Sequence, residues 1–251
     1  MNLVFSQFCK ILHKNIIMIF IIIIAISSCK SKNEEKKTAS LEYQKAYKLM
    51  QKKDFIAAAE AFEKIDDDYP FSKIAVKANV MAIYCYYKQD NLSKIIEISD
   101  SFLSINPDSE YTPYVLYMKG LAYYLQIPNI KRAQDYSWQS SSAFRELNAR
   151  FISSKYRQDA ENRLEIIDEH LAGAKMNMAR YQMQNNNFIG AINNFNDITI
   201  YYSRTKQVAE AYFRLSEIYQ YLGMEKQAKE MGDFLQNRFP ESFWFNKYSK
   251  K

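Results

Sequence analysis

Apolar and polar positions fall into three regimes along the chain. From Ile16 to Ile26 every residue is apolar (IIMIFIIIIAI). The run is too short for the roughly twenty residues of a bilayer-spanning helix and has the length of a signal-peptide core, with Lys10, His13 and Lys14 ahead of it. Lys30 to Ser40 (KSKNEEKKTAS) mixes charges with no large apolar residue and reads as a flexible tether. From about Leu41 onward the apolar spacing is helical and repeats itself. Phe55-Ile-Ala-Ala58-Ala-Glu-Ala-Phe62-Glu-Lys-Ile65, running on to Tyr69-Pro70, returns as Phe188-Ile-Gly-Ala191-Ile-Asn-Asn-Phe195-Asn-Asp-Ile198, running on to Tyr202-Ser203. Phe144–Lys155 mirrors Phe62–Lys73, another copy spans Ala228 to Pro240, and Leu92 to Pro107 is a looser one with Ile95 and Ser99 at the anchor positions.

These copies resemble the second helix of a tetratricopeptide repeat. There a small residue lets two helices approach, an aromatic one turn later fills the gap, and proline ends the turn. First helices fit as well, with Ala46, Gly120 and Ser216 at the small position and Tyr86, Tyr123 and Tyr219 at the aromatic one. The expectation is an all-α protein, a solenoid of about five tetratricopeptide-like helix pairs, because one pair cannot bury its own apolar face and stacked pairs share a core. The 37-residue spacing from Pro70 to Pro107 predicts extended loops between pairs, and Pro128 to Ser142 reads as an insertion before Phe144. Ala58, Phe62, Ala191 and Phe195 are expected between helices.

Composition narrows the chemistry. Five Gly and five Pro among 251 residues leave little material for hairpins or phosphate-cradling loops, which disfavours an all-β fold. Three Cys and two His exclude a disulfide framework and a Cys/His zinc site, so neither cofactor nor metal is expected. Cys85, between Tyr84 and Tyr86, reads as a small buried hydrophobe. Asp66-Asp67-Asp68 reads as the solvated end of a helix, and no G-x-S-x-G, H-E-x-x-H, P-loop or dinucleotide fingerprint occurs. The net charge of +6 includes the amino-terminal segment and Lys247, Lys250 and Lys251, and no run alternates basic with aromatic residues as a nucleic-acid platform would. No catalytic role and no nucleic acid are expected.

What remains is binding. The register places Tyr43 and Tyr47, then Lys77, Val80, Tyr84 and Tyr87, then Tyr114, Tyr117, Leu121 and Tyr124 on the outer stripe of the first helices. In tetratricopeptide stacks that stripe lines the concave side. Tyrosine offers broad apolar area and a hydroxyl at low rotamer cost, which suits extended or aromatic peptides. Any one of these rings has the alternative of packing between helices.

Ile26-Ser27-Ser28-Cys29 resembles the lipobox of bacterial lipoproteins. By that resemblance residues 1–28 are a lipoprotein signal peptide, Cys29 is acylated (palmitate among the acyl groups) and becomes the first mature residue, 29–40 form the lipidated tether, and 41–251 form the repeat domain. Lys30 after the cysteine implies sorting to the periplasmic face of the outer membrane. Together with the repeats, Tyr114-Val-Leu-Tyr-Met-Lys-Gly-Leu121 and Ser154-Lys-Tyr-Arg-Gln-Asp-Ala160 make nearly all of the mature chain similar to the BamD (ComL) family of outer-membrane assembly lipoproteins. The first stretch matches the family's Y-x-x-Y-x-x-G-L helix and the second its S-x-Y-x-x-D-A turn. The family's D-R-D-Q-like element departs here to Lys131-Arg132-Ala133-Gln134, which loses both acids. The resemblance implies a non-enzymatic subunit of the machinery that inserts β-barrels, receiving unfolded outer-membrane barrel precursors on its amino-terminal repeats. Its carboxyl-terminal repeats, from about Ala174, would hold BamA, alongside other machinery subunits. The alternative is a periplasmic tetratricopeptide scaffold or adaptor lipoprotein for envelope or cell-wall assembly. A catalytic pocket in the Pro128–Ser142 stretch is disfavoured, since that stretch has no His and Asp135 is its one acid.

Overall fold

The computed structural model describes residues 38–250 except 71 and 131. The expected signal peptide, Cys29, the tether as far as residue 37, and Lys131 of the departed element lie outside the described residues. Every regular element among the described residues is a helix: α1 (38–51), α2 (Phe55–Asp68), α3 (Lys73–Lys88), α4 (Leu92–Ile105), α5 (Thr112–Tyr124), α6 (Asp135–Arg150), α7 (Arg157–Gln184), α8 (Phe188–Tyr201), α9 (Val208–Tyr221), α10 (Glu225–Arg238) and α11 (Phe243–Tyr248). The chain divides into two compact units between Tyr111 and Thr112. The first holds the pairs α1/α2 and α3/α4, and the second holds α5/α6, α7/α8 and α9/α10 with α11 against α9 and α10.

One pattern recurs in the second helix of each pair. Ala58, Phe62 and Ile65 are buried in α2, Ser140, Phe144 and Leu147 in α6, and Ala191, Phe195 and Ile198 in α8. The spacing of four and three puts the triplet on one face. In α4 the triplet reads Ile95, Ser99 and Phe102, so the ring has moved down one turn and is still buried. In α10 glycine stands at the ring position, Gly232, and Tyr248 from α11 lies directly over it. The carbonyl of the last triplet residue always accepts the N–H four residues on, from Tyr69, Asn106, Phe151, Tyr202 and Phe239, which closes the helix.

Turns within pairs are also repeated. Residues 52–54, 89–91, 185–187 and 222–224 are three-residue connections whose middle residue is left-handed: Lys53 (φ 64°), Asp90 (φ 57°), Asn186 (φ 60°) and Gly223 (φ 73°). Asp54, Asn91 and Asn187 then cap the following helix, each side-chain oxygen accepting the backbone N–H three residues ahead. Aspartate and asparagine serve both needs because they tolerate the left-handed region and cap well.

Several expectations are corrected. Helix α1 begins slightly ahead of the expected start near Leu41, with residues 38–40 helical and Ala39 fully buried. Pro128–Ser142 is not an insertion throughout, because α6 begins at Asp135, and what is long is the 125–134 connection. Connections between successive pairs in the same unit are four to six residues, short rather than extended. The Ser154–Ala160 motif is only half a turn, since α7 starts at Arg157 and runs 28 residues, far ahead of Ala174. The segment after Pro240 is a helix started by Ser242, whose hydroxyl accepts from the Phe245 N–H.

Close approach in the third pair is tightly constrained. A Cβ placed on Gly120 would lie 2.6 Å from Cε1 of Phe144, a fully buried ring, and the Ser140 hydroxyl donates to the Gly120 carbonyl at 2.8 Å. Gly120→Ala should therefore destabilise the protein by about 1–3 kcal/mol through overpacking, despite alanine's better helix propensity. Chemical denaturation followed by circular dichroism checks this, and a gain in stability would contradict the contact.

Candidate functional site

The seven predicted tyrosines separate into two groups. In the first unit, Tyr43 on α1 is half-buried, its ring 5.3 Å from Phe62 and 6.4 Å from Tyr47, with which it stacks. Burial pushes its phenol up, with smaller contributions from Tyr111 and Tyr47. Tyr47 is 39% exposed. On α3, Tyr84 sets its ring edge-on to Phe55 at 6.3 Å, and Tyr87, next to it on the open side, is also 39% exposed. The Lys88 ammonium lies 5.4 Å from the Tyr84 ring and 5.9 Å from the Tyr87 ring. Cationic and aromatic surface is thus presented together on the α3 face, anchored by Tyr84. Beneath it Cys85 is fully buried, and burial alone moves its thiol up to about 11, so it is a packing residue and not a nucleophile.

The second group, on α5, is engaged inside its own unit. The Tyr117 ring stacks on Tyr156 at 4.9 Å and lies 6.1 Å from Phe144, while its hydroxyl donates to Asp159 Oδ2 at 2.7 Å. Tyr114 packs 5.7 Å from the same Tyr156. Arg163 donates to Asp159 Oδ2 at 2.6 Å and places its guanidinium 4.8 Å from the Tyr124 ring. The two sequence stretches that carry the family resemblance therefore meet: Tyr114 and Tyr117 of one against Tyr156 and Asp159 of the other. Tyr114, Tyr117 and Tyr124, expected on the binding stripe, are half-buried, and each makes a ring or hydrogen-bond contact within its own unit. Periodicity gave the face they occupy, and only the start of α7 at Arg157 reveals what covers it.

Sequence reading also passed over the face made by α6, α7 and α8. Trp138 and Tyr201 are exposed there, and Arg145 forms a two-pronged ion pair with Asp168 at 2.8 and 3.0 Å. The 125–134 connection runs beside it, held to α7 by a hydrogen bond from His170 to the Pro128 carbonyl. Burial pushes the His170 imidazole down, and that hydrogen bond opposes the shift. Among the described residues no group of three or more His, Cys, Asp or Glu is arranged to hold a metal, and no helix is long and apolar enough to cross a membrane.

The Tyr117–Asp159 bond has a pH signature. Burial, then the hydrogen bond and charge of Asp159, push the Tyr117 phenol from 10.0 up to about 12. The stabilisation it contributes is complete below pH 10 and is lost as pH rises towards 12. Burial alone would raise Asp159, but the hydrogen bonds from Arg163 and Tyr117 outweigh it, so its carboxyl titrates below 3.8 and its contribution fades only in acid. Tyr117→Phe keeps the ring and removes the hydroxyl, and should cost about 1–2 kcal/mol at pH 7. In thermal unfolding the gap between the two proteins should close between pH 10 and 12. A gap constant to pH 12 would assign the loss to something other than this bond.

Comparison with known proteins agrees with these motifs. Residues 35–234 match the YfiO family, described as "Outer membrane lipoprotein". Outer membrane protein assembly factor BamD of Rickettsia prowazekii is 27% identical over 238 residues, covering 94% of this chain and 95% of that protein. The BamD proteins of Caulobacter vibrioides (26% identical, 84% of this chain and 69% of the relative) and Neisseria meningitidis (28%, 91% and 92%) are similar to it as well. Among solved structures, the type IV pilus biogenesis factor PilW aligns at 17% identity over 84% of this chain and 98% of its own, with a TM-score of 0.38. Motifs that dock on one another in the structure, together with a match over most of the chain, place it in a family: the chain belongs to the YfiO (BamD) family of outer membrane lipoproteins.

Proposed function

We propose that this protein is a non-enzymatic lipoprotein subunit of the machinery that assembles β-barrel proteins in the outer membrane. In this reading Cys29 carries the lipid anchor at the periplasmic face, the first unit receives extended, aromatic-ended segments of unfolded barrel precursors, and the last two pairs hold BamA. Support comes from membership of a family whose relatives are described as outer membrane protein assembly factors, and from the absence of a catalytic constellation in the sequence.

The observation that carries the binding step is the α3 face, where Tyr87 is open to solvent, Tyr84 is held edge-on by Phe55, and Lys88 lies against both rings. A barrel strand presents its backbone and alternate side chains in extended form, and a rigid aromatic surface accepts such a segment without ordering cost of its own. Tyr47, exposed on α1, adds to the first unit's aromatic surface. Tyr114, Tyr117 and Tyr124 serve the other unit's interior first, so the peptide-binding role rests on Tyr43, Tyr47, Tyr84 and Tyr87.

Replacing Tyr84 and Tyr87 together by Ser should weaken a barrel-derived peptide by about 1–3 kcal/mol in fluorescence titration while BamA still copurifies. Loss of BamA with peptide affinity intact would reverse the assignment of the two units. Failure of the wild type to bind either ligand would favour the envelope-scaffold alternative.

Anchoring is tested separately. Cys29→Ala should abolish metabolic palmitate labelling and mislocalise the protein, since Cys85, the other cysteine in the mature chain, is fully buried. Label persisting at the wild-type level would remove Cys29 as the anchor.

A further inference from the structure

The second unit carries a cleft that the tyrosine stripe does not include. Two adjoining cavities, of about 380 and 720 Å³, share Trp138 of α6 and Leu171 and Lys175 of α7. The larger extends along α7 to Met178 and Tyr181 and is bordered by Arg132 of the long connection. Trp138, Met178 and Tyr181 are 49%, 51% and 64% exposed, so three large side chains on one cleft are left in water. The cleft has a local cause. On α6 the residues turned towards the unit's interior include Ser137, Ser140 and Ser141, all buried and all small. Ser141 lines the smaller cavity, where a larger residue would narrow it.

Charge and hydrogen bonding say what fits. Of the three cations on the cleft among the described residues, Arg145 is paired with Asp168 and Lys175 with Asp197 at 2.6 Å, which neutralises both. The guanidinium of Arg132 has no ion pair among the described residues and stands exposed at the rim, leaving a net positive mouth over an aromatic floor. Asn177 lines the same cavity with no hydrogen bond from its side-chain amide among the described residues. A polar amide within an apolar lining favours a ligand that returns hydrogen bonds, which an extended backbone does and a helix, with its backbone groups already paired, does not.

We propose that this cleft is a second peptide site, distinct from the first-unit tyrosines, which takes an extended segment combining aromatic and acidic side chains. The aromatic groups lie against Trp138, Met178 and Tyr181, the acid meets Arg132, and the backbone pairs with Asn177. This goes beyond the precursor-binding role of the first unit and does not depend on it.

The protein has two tryptophans, Trp138 and Trp244. Full-length Trp244→Phe protein in nanodiscs of zwitterionic lipid therefore reports from the cleft alone. A blocked hexapeptide alternating Asp and Phe should change Trp138 emission saturably. Replacing its Asp by Lys, or its Phe by Ala, should weaken binding at least tenfold. Arg132→Glu and Met178→Asp should each do the same without altering the circular dichroism spectrum, whereas Tyr84→Ser with Tyr87→Ser should leave this titration unchanged. No saturable response, or equal response to the Lys peptide, would overturn the proposal. So would an emission shift that follows protein concentration without peptide, which would give the cleft to a second copy. A shift that appears only with anionic lipid would give it to the membrane surface, and would overturn it equally.

Discussion

A buried triplet of a small residue, an aromatic ring and an aliphatic one, intact on α2, α6 and α8 and altered on α4 and α10, is the constraint on which the rest of this structure depends. No pair of short helices can bury enough apolar area by itself, so each must be brought close to the next. Phe62, Phe144 and Phe195 do this directly, each within a triplet that is buried throughout. The looser second helix shows that the requirement is for volume and not for a fixed position: Ser99 stands where the ring is expected, and Phe102 supplies the same bulk one turn further along. Gly120 against the fully buried Phe144 is a tight instance, and it fixes α5 on α6 so that Tyr117 is carried to Tyr156 and Asp159.

That chain of contacts explains why two short sequence signatures, separated by some forty residues, belong to one physical object. Tyr114, Tyr117 and Gly120 lie along one side of α5, while Tyr156 and Asp159 lie at the amino end of α7. An aromatic stack and a charge-assisted hydrogen bond couple the two ends, and Arg163 completes the arrangement by neutralising Asp159 and covering Tyr124. The α7/α8 pair is joined to a second network further along: Glu210 on α9 is buried between Arg180 of α7 and Arg214 of its own helix. A carboxylate in that position is tolerable only because both partners are present.

The fold was legible in the sequence wherever one residue type repeats at fixed spacing. Ala58, Phe62, Ala191 and Phe195 could be assigned to the interior from periodicity, and all four are fully buried. Cys85 is likewise buried, as its apolar neighbours suggested. What could not be read were lengths and partners. Nothing in Ser154–Ala160 announces that α7 runs on to Gln184, because a helix of that length has no single apolar stripe: its first half and second half bury different faces. The start of α6 at Asp135 was hidden for a similar reason, since serines at its buried positions give no hydrophobic signal. For the tyrosines, spacing specified a face and left open whether another helix occupies it. On α3 Tyr87 remains open, and on α5 the α7 amino end occupies it.

Helix α11 gives the carboxyl-terminal pair a meaning that its sequence alone conceals. Where the other second helices carry a ring or its substitute, α10 has Gly232, and Tyr248 reaches back over that bare backbone while Trp244 lies against Phe213. The lysine and arginine that follow the rings, Lys247 and Arg214, sit over the same aromatic surface and turn it polar on its outer side. A repeat array whose last member exposed the usual apolar face would offer a docking edge to the first member of another copy, and such head-to-tail contacts build filaments when they do not close. By laying α11 across α9 and α10, this chain covers that edge with its own rings, so the face a second copy would need is already occupied.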